Sequence, residues 1–270
     1  MGDASGQRVE LRPRVLLLYY TYTGQALKVL EAAGEVFLAR GWEVHKAQIE
    51  FTDQRFGERF SRFPMRHAVF DVLRMLPAQM RRATGEIQTP DEVRNGNYDL
   101  ICIGSSTWWF TMNLPMRTFL RSDEAQKLLA GTPFAAFAVC RRYWRSNFRL
   151  VRKLGEKRGG QYAGGVHFEY LGGQIASGLS MISYLRSGRY RDRYFGLPIP
   201  ATNIQPYQLE QTRNFARALS DRFGDEDFRL ASMRAPARRA SRLSSAASWR
   251  STPQRPAGVP AMLRPSPRRG

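Results

Sequence analysis

Apolar residues in this chain fall into two alternating patterns, short continuous runs and longer helical repeats. The run Val15-Leu16-Leu17-Leu18-Tyr19-Tyr20 has the pattern of a strand covered on both faces, as in a parallel sheet. Beyond a turn at residues 21–24, Leu27, Leu30, Gly34, Phe37 and Leu38 recur at helical spacing and predict one apolar stripe against that sheet, with Gly34 allowing a close approach. Residues 43–48 alternate only weakly, as expected of an outermost strand. Apolar runs return at 98–104, 132–140 and 161–170. Between the last two, Phe148, Val151, Leu154 and Gly155 mark a helix closed by Gly159-Gly160. Pro206 opens a final helix with Leu209, Thr212, Ala216, Leu219 and Phe223 on one face, and Gly224 closes it. Strands alternating with helices predict a doubly wound α/β domain built on five parallel strands.

Two stretches are longer than such a domain requires. Residues 51–97 mix Phe51, Phe56, Phe60, Phe63 and Phe70 with Arg55, Arg59, Arg62, Arg66 and Arg74. They hold an amphipathic helix around Val69, Val72, Leu73 and Leu76 that Pro77 is expected to interrupt. Residues 172–200 carry Ile175, Leu179 and Ile182 at helical spacing, followed by Arg186, Arg189, Arg191 and Arg193. The plainer reading of each is a helix packed on the sheet beside a solvated loop. The alternatives are a substrate or partner lid for the first and a short interfacial helix with a basic flank for the second. From Asp225 onward Arg, Ser, Ala and Pro dominate and the apolar period disappears, the composition of a disordered tail. The expected organisation is a disordered segment 1–12, one domain over 13–224, and a disordered basic tail over 225–270.

The turns at the strand ends carry the candidate chemistry. The first strand runs into Thr21-Tyr22-Thr23-Gly24-Gln25-Ala26. A helix N-terminus there offers free N–H groups and a partial positive charge, and Thr21 and Thr23 add hydroxyl donors. The segment reads as a phosphate cradle or as an ordinary capped turn. The run at 98–104 leads into Ser105-Ser106-Thr107-Trp108-Trp109, where adjacent indoles in a small-residue turn suit stacking on a planar heteroaromatic ring. A phosphate grip and an aromatic plane together describe flavin mononucleotide (FMN). In an open parallel sheet it would sit outside the carboxyl ends of the strands, where their order reverses. A third turn, Cys140-Arg141-Arg142-Tyr143-Trp144-Arg145, follows the fourth strand. Tyr143 is a second candidate stacking partner there, and Arg141 and its neighbours would favour a reduced, anionic flavin by Coulomb attraction.

On these residues the chain resembles the flavodoxin-like family of FMN proteins, across roughly residues 14–223. Thr21-Tyr22-Thr23-Gly24-Gln25-Ala26 is similar to the family's phosphate loop, Ser/Thr-x-Thr-Gly-x-Thr/Ala, and Gly104-Ser105-Ser106-Thr107-Trp108-Trp109 to its first isoalloxazine loop. The resemblance implies a five-stranded sheet of order 2-1-3-4-5 with FMN bound at its edge. It extends to an Arg-rich subgroup described as NAD(P)H-dependent oxidoreductases, and more faintly to proteins labelled dialkylresorcinol-condensing enzymes. Trp108 aligns with the family's stacking aromatic and Trp109 is the alternate. Ala26 stands where a threonine hydroxyl is common, forgoing about 1 kcal/mol of hydrogen bonding.

Composition adds bounds rather than detail. Of the net charge of +19, more than half lies between residues 228 and 270, where ten arginines meet no acidic residue. Such a tail attracts polyanions nonspecifically and in a salt-dependent way. Cys102 and Cys140 are expected to be core thiols of neighbouring strands, which with the polar N-terminus fits a reducing, cytoplasmic setting. No apolar run approaches the roughly eighteen residues of a membrane span. His45, His67 and His167 lack metal-ligand spacing, and neither a nucleophile elbow nor a Walker A loop follows a strand. No acid–base residue is identifiable, so no catalytic residue is assigned. The expected function is an FMN-dependent oxidoreductase moving electrons between NAD(P)H or a partner reductase and a quinone or other small acceptor. The alternatives are a flavodoxin-type electron carrier docking to an acidic redox partner, and a flavin-free interaction protein.

Overall fold

The computed structural model describes residues 12–56, 60, 63–169 and 173–224. Along the chain run β1 (Arg14–Tyr19), α1 (Gln25–Ala39), β2 (Glu43–Gln48), β3 (Glu50–Phe51), α2 (Ala68–Met80) and β4 (Ile87–Gln88). Then come α3 (Asp91–Asn95), β5 (Leu100–Trp108), β6 (Thr111–Met112), α4 (Leu114–Phe119), α5 (Asp123–Leu129) and β7 (Pro133–Cys140). The last elements are α6 (Trp144–Lys157), β8 (Gln161–Glu169), α7 (Gln174–Ser187), β9 (Arg193–Tyr194), β10 (Leu197–Pro198) and α8 (Pro206–Phe223).

Five strands pair in parallel in the order β2-β1-β5-β7-β8, with β6 turned back antiparallel on β5. Among the five this is the order 2-1-3-4-5 expected from the sequence, and the fold is flavodoxin-like. Leu16 pairs with Ile101 and Ile101 with Phe134, so the apolar runs are in register across the centre. Alternate residues then serve opposite faces. Leu16, Leu18, Ile101 and Ile103 meet Leu114, Phe119, Leu129 and Val151 from α4, α5 and α6. Leu17, Cys102 and Phe137 meet Val29, Leu30, Ala33 and Phe37 of α1 and Ala216, Leu219 and Phe223 of α8. Each fully buried leucine contributes about 2 kcal/mol. Gly34 allows α1 to lie this close, since a Cβ there would stand 2.9 Å from Leu17 Cδ1.

Three expectations about helix faces are corrected. Leu38 is exposed, because it lies one helical step of about 100° beyond Phe37 and leaves the stripe. Helix α2 runs through Pro77 to Met80 rather than breaking there. Pro77 is on the exposed side, where the carbonyl of exposed Leu73, which loses its amide partner, is open to water. In α7 the buried positions are Ser177, Ser180, Ser183 and Leu185, while Ile175 is 82% exposed. That helix covers polar loop ends instead of the apolar face of the sheet, so its inward face is hydroxylic. Cys102 and Cys140 do occupy neighbouring strands as free thiols. No helix among the described residues is long and apolar enough to cross a membrane. The expectations for the basic tail and for residues 1–11 fall outside the described residues.

Candidate cofactor-binding site

From β1 the chain passes to β2 on one side and later to β5 on the other, so the strand order reverses between the turns that follow β1 and β5, the place where open α/β sheets form their ligand crevice. Gly24 caps α1 in the left-handed conformation, φ 76°, and no side chain caps the helix. The first turn holds no acidic residue, and a Cβ built on Gly24 would meet nothing within 4 Å. The first-turn N–H groups of this 15-residue helix therefore have no side-chain cap, and the positive end of the helix dipole lies at the turn after β1. Thr21 and Thr23 are half-buried beside them, and Ala26 is buried under the turn.

The other residues of that turn anchor it. Gln25 accepts from Ile204 N at 2.8 Å through Oε1 and donates to Thr23 O at 3.4 Å through Nε2, tying the turn to the approach of α8. The Tyr22 ring meets the edges of Phe60 and Phe63, each at 5.5 Å. Burial, and then the Asp71 carboxylate, push its hydroxyl up to about 12.

Where the sequence reads as a turn after Gly104, β5 continues to Trp108. Ser105 and Ser106 pair in register with Ala138 and Val139 of β7. The hydroxyls consequently face protein. Ser105 Oγ is buried without a hydrogen-bond partner, Ser106 Oγ accepts from Asn113 Nδ2 at 3.2 Å, and Thr107 Oγ1 accepts from Asn147 Nδ2 at 3.0 Å. The Trp108 ring is packed, stacked with Phe60 at 5.0 Å and edge-on to Tyr20 at 5.6 Å. The turn proper is Trp109-Phe110, a two-residue hairpin between β5 and β6. Trp109 takes φ 57°, a conformation that such hairpins usually give to glycine. This stores backbone strain at the rim.

The third turn completes the rim. Tyr143, also left-handed at φ 64°, meets Phe110 edge-to-face at 5.1 Å, and Ser146 Oγ donates to Phe110 O. Arg142 lies 5.9 Å from the Tyr143 ring and Arg145 5.2 Å from the Trp144 ring, and neither has an ion-pair partner among the described residues. Trp144 stacks on His167 at 3.6 Å. Burial, with Arg145 adding to it, lowers that imidazole to about 4.

Helix α7 spans the crevice. Its Ser177 Oγ accepts from Arg141 Nε at 3.2 Å, and Tyr184 donates to Thr23 O at 3.4 Å, so the helix touches the turns after β7 and β1. Leu185 O also accepts from Met65 N at 2.6 Å, which joins the two long insertions over Tyr22. Sequence reasoning missed Phe60, Ser177 and Tyr184 as site neighbours. Phe60 was one of five similar phenylalanines, and no pattern separated it from the rest. A separate cleft of about 290 Å³ lies at the ends of β7 and β8, with Cys140 and Glu169 in its wall. Burial, then Glu169, raise the Cys140 thiol to about 12. This cleft does not include the turn after β1.

Strand order and crevice define the class as a flavodoxin-like α/β protein. No protein-family model and no curated protein matches the chain. Among solved structures it is similar to a flavoprotein in complex with FMN from Lactobacillus acidophilus NCFM, with 18% identity, 57% of this chain and 93% of that one covered, and a TM-score of 0.43. It is also similar to a flavodoxin from the domain Archaea (13% identity, 78% and 99% covered, TM-score 0.45). A third is the Fusobacterium nucleatum flavodoxin bound to flavin mononucleotide (9% identity, 78% and 98% covered, TM-score 0.41).

Proposed function

We propose that the protein is an FMN-dependent oxidoreductase whose flavin occupies the crevice between the turns after β1 and β5. The observation that carries this reading is the N-terminus of α1, with no side-chain cap, placed at the reversal of strand order. Its first-turn N–H groups, with Thr21 and Thr23, would hold the phosphate. Trp109 and Tyr143 are the rings left to flank the flavin, because Trp108 is already stacked with Phe60. When bound, FMN supplies hydride and single-electron transfer between a donor and an acceptor. Arg142 and Arg145 set a positive potential at the rim, which favours a negatively charged, electron-rich group there. That potential supports two-electron oxidation and reduction over low-potential carriage. Helix α7 lies across the opening and limits the access of water. We assign the donor as NAD(P)H or a partner reductase, and the acceptor as a quinone or another small molecule.

Absorbance of the freshly purified protein, followed by release and identification of the cofactor, tests the reading. Yellow protein that yields FMN is the expected result. Colourless protein that cannot be reconstituted with FMN overturns it. Turnover of NADPH with a quinone and no added reductase is expected of the enzyme, whereas a strict need for a partner would make the protein a carrier.

A further inference from the structure

Helix α2 buries Ala68, Asp71, Met75 and Gln79 and turns its opposite side outward. On that side Val69, Phe70, Leu73 and Met80 are each more than half exposed. Clustered large apolar side chains on one exposed helix mark a surface that something covers. Around them Arg66, Arg74, Arg81 and Arg82 are exposed and have no ion-pair partner among the described residues. The one acidic residue of the helix, Asp71, is on the buried side.

The neighbouring surface has the same character. Gly188, at the end of α7, lies beside Phe63 and Pro64, and Tyr184 connects Phe63, at 5.2 Å, to Tyr190, stacked at 4.1 Å. From there the chain enters the β9–β10 hairpin, with Phe195 and Leu197 exposed and Arg189, Arg191 and Arg193 beside them.

We propose that the outward face of α2 docks on an anionic lipid bilayer. A surface helix with an apolar stripe edged by guanidinium groups buries that stripe at the headgroup boundary while the arginines meet lipid phosphates. Their long stems extend the apolar area and their heads stay at the polar level. Charge argues against other occupants. A second copy docked about a two-fold axis would set four arginines against the same four of its partner. The chain's own segment 228–270 has ten arginines and no acidic residue, so it is repelled from this face and drawn to the same membrane. The inference does not depend on the cofactor.

The test sediments the full chain with vesicles of phosphatidylcholine alone and of phosphatidylcholine mixed with phosphatidylglycerol. Binding is expected to the mixed vesicles only, and to weaken with salt. A Phe70→Ser, Leu73→Ser double variant removes two exposed side chains and leaves every charge, including those of the tail. It is expected to keep the parent melting temperature and to lose at least about tenfold in vesicle partition. Arg74→Ser and Arg81→Ser are each expected to lower partition about fivefold and to flatten its salt dependence. Absence of binding, or binding of the Phe70/Leu73 variant equal to the parent's, overturns the proposal, the latter assigning the attraction to the tail. A parent dimer that this variant converts to monomer in light scattering overturns it in favour of a second copy.

Discussion

Arg117, on α4, is fully buried, and its hydrogen-bond acceptors are all neutral. Its Nε donates to Ala83 O at 2.9 Å, and its two terminal nitrogens donate to Met112 O at 3.2 Å and Gln79 Oε1 at 2.6 Å. Burial, with Arg121 and Arg82 nearby, lowers the guanidinium from its ordinary value to about 10. That fall corresponds to about 3 kcal/mol of lost solvation and like-charge repulsion together. Each hydrogen bond from a charged donor contributes about 1.5–3 kcal/mol, so the three together outweigh that loss. Arg117→Met fills much of the volume and removes the buried charge, but takes the donor from Gln79 Oε1 and Ala83 O and leaves Met112 O only the longer bond, 3.5 Å, from Gln79 Nε2. It is expected to destabilise the protein by about 2–4 kcal/mol. Arg117→Ala adds a cavity and is expected to cost about 1–2 kcal/mol more. Urea unfolding followed by circular dichroism measures both, as a shift in midpoint at constant slope. A methionine variant as stable as the parent would refute the reasoning, since the charge would then be a burden that its bonds do not offset. Because Met112 belongs to β6, both variants should also loosen the hairpin that presents Trp109.

Thr21→Val and Thr23→Val keep the shape of the cradle and remove its hydroxyls, so each should weaken FMN binding about fivefold in a fluorescence titration. Gly155→Ala would set a Cβ 2.4 Å from the Phe134 ring, and should cost about 1–3 kcal/mol in thermal or urea unfolding. His167 is held to about 4 when folded, below its ordinary 6.5. The unfolded chain therefore binds more protons between these values, and stability should fall by about 2 kcal/mol as the pH drops through that window. His167→Gln should flatten this part of the pH–stability curve. Amides of α7 should exchange with deuterium faster than those of α1, and equal protection would show that the cover is as firmly held as the core.

The sheet was legible because strands buried on both faces leave continuous apolar runs, and β1, β5 and β7 are such strands. Legibility failed where tertiary packing overrides a polar signal. Ser105, Ser106 and Thr107 read as a turn, yet β5 continues through them. The strand holds these hydroxyls because Asn113 and Asn147 donate to Ser106 and Thr107, the second from forty residues away, while Ser105 is buried with no partner, and no local pattern separates that arrangement from a turn. Helix positions failed for a related reason. Assigning an apolar stripe to the inside presumes an apolar surface opposite, which holds for α1 and α8 but not for α7. The turn at Thr21–Gly24 was legible as geometry, since a strand, a glycine and a helix start fix it locally. The covering of Trp108 by Phe60 was not, because Phe60 arrives from an insertion whose path the periodicity does not define.

The hydroxylic face of α7 bears on how the crevice works. Ser177 accepts from Arg141, Ser180 donates to Pro200 O at 2.7 Å, and Tyr184 donates to Thr23 O. The two neutral bonds are worth about 1 kcal/mol net each and the one from the Arg141 guanidinium about 1.5–3 kcal/mol, against about 1.5–3 kcal/mol for burying one large apolar side chain. Ser183 Oγ, buried without a partner, works against the closed position. Leu185 and Met181, packed with Met65 and Ala68, and Tyr184, against Phe63 and Tyr190, add apolar anchors toward the C-terminal end of the helix. A cover held this way has its apolar anchors toward its C-terminal end, beside Tyr22, and hydroxyl bonds at Ser177 and Ser180 before them. The amides around Ser177 are therefore expected to exchange with deuterium before those around Leu185, and the reverse order would show that the hydroxyl bonds hold the helix more firmly than its apolar end.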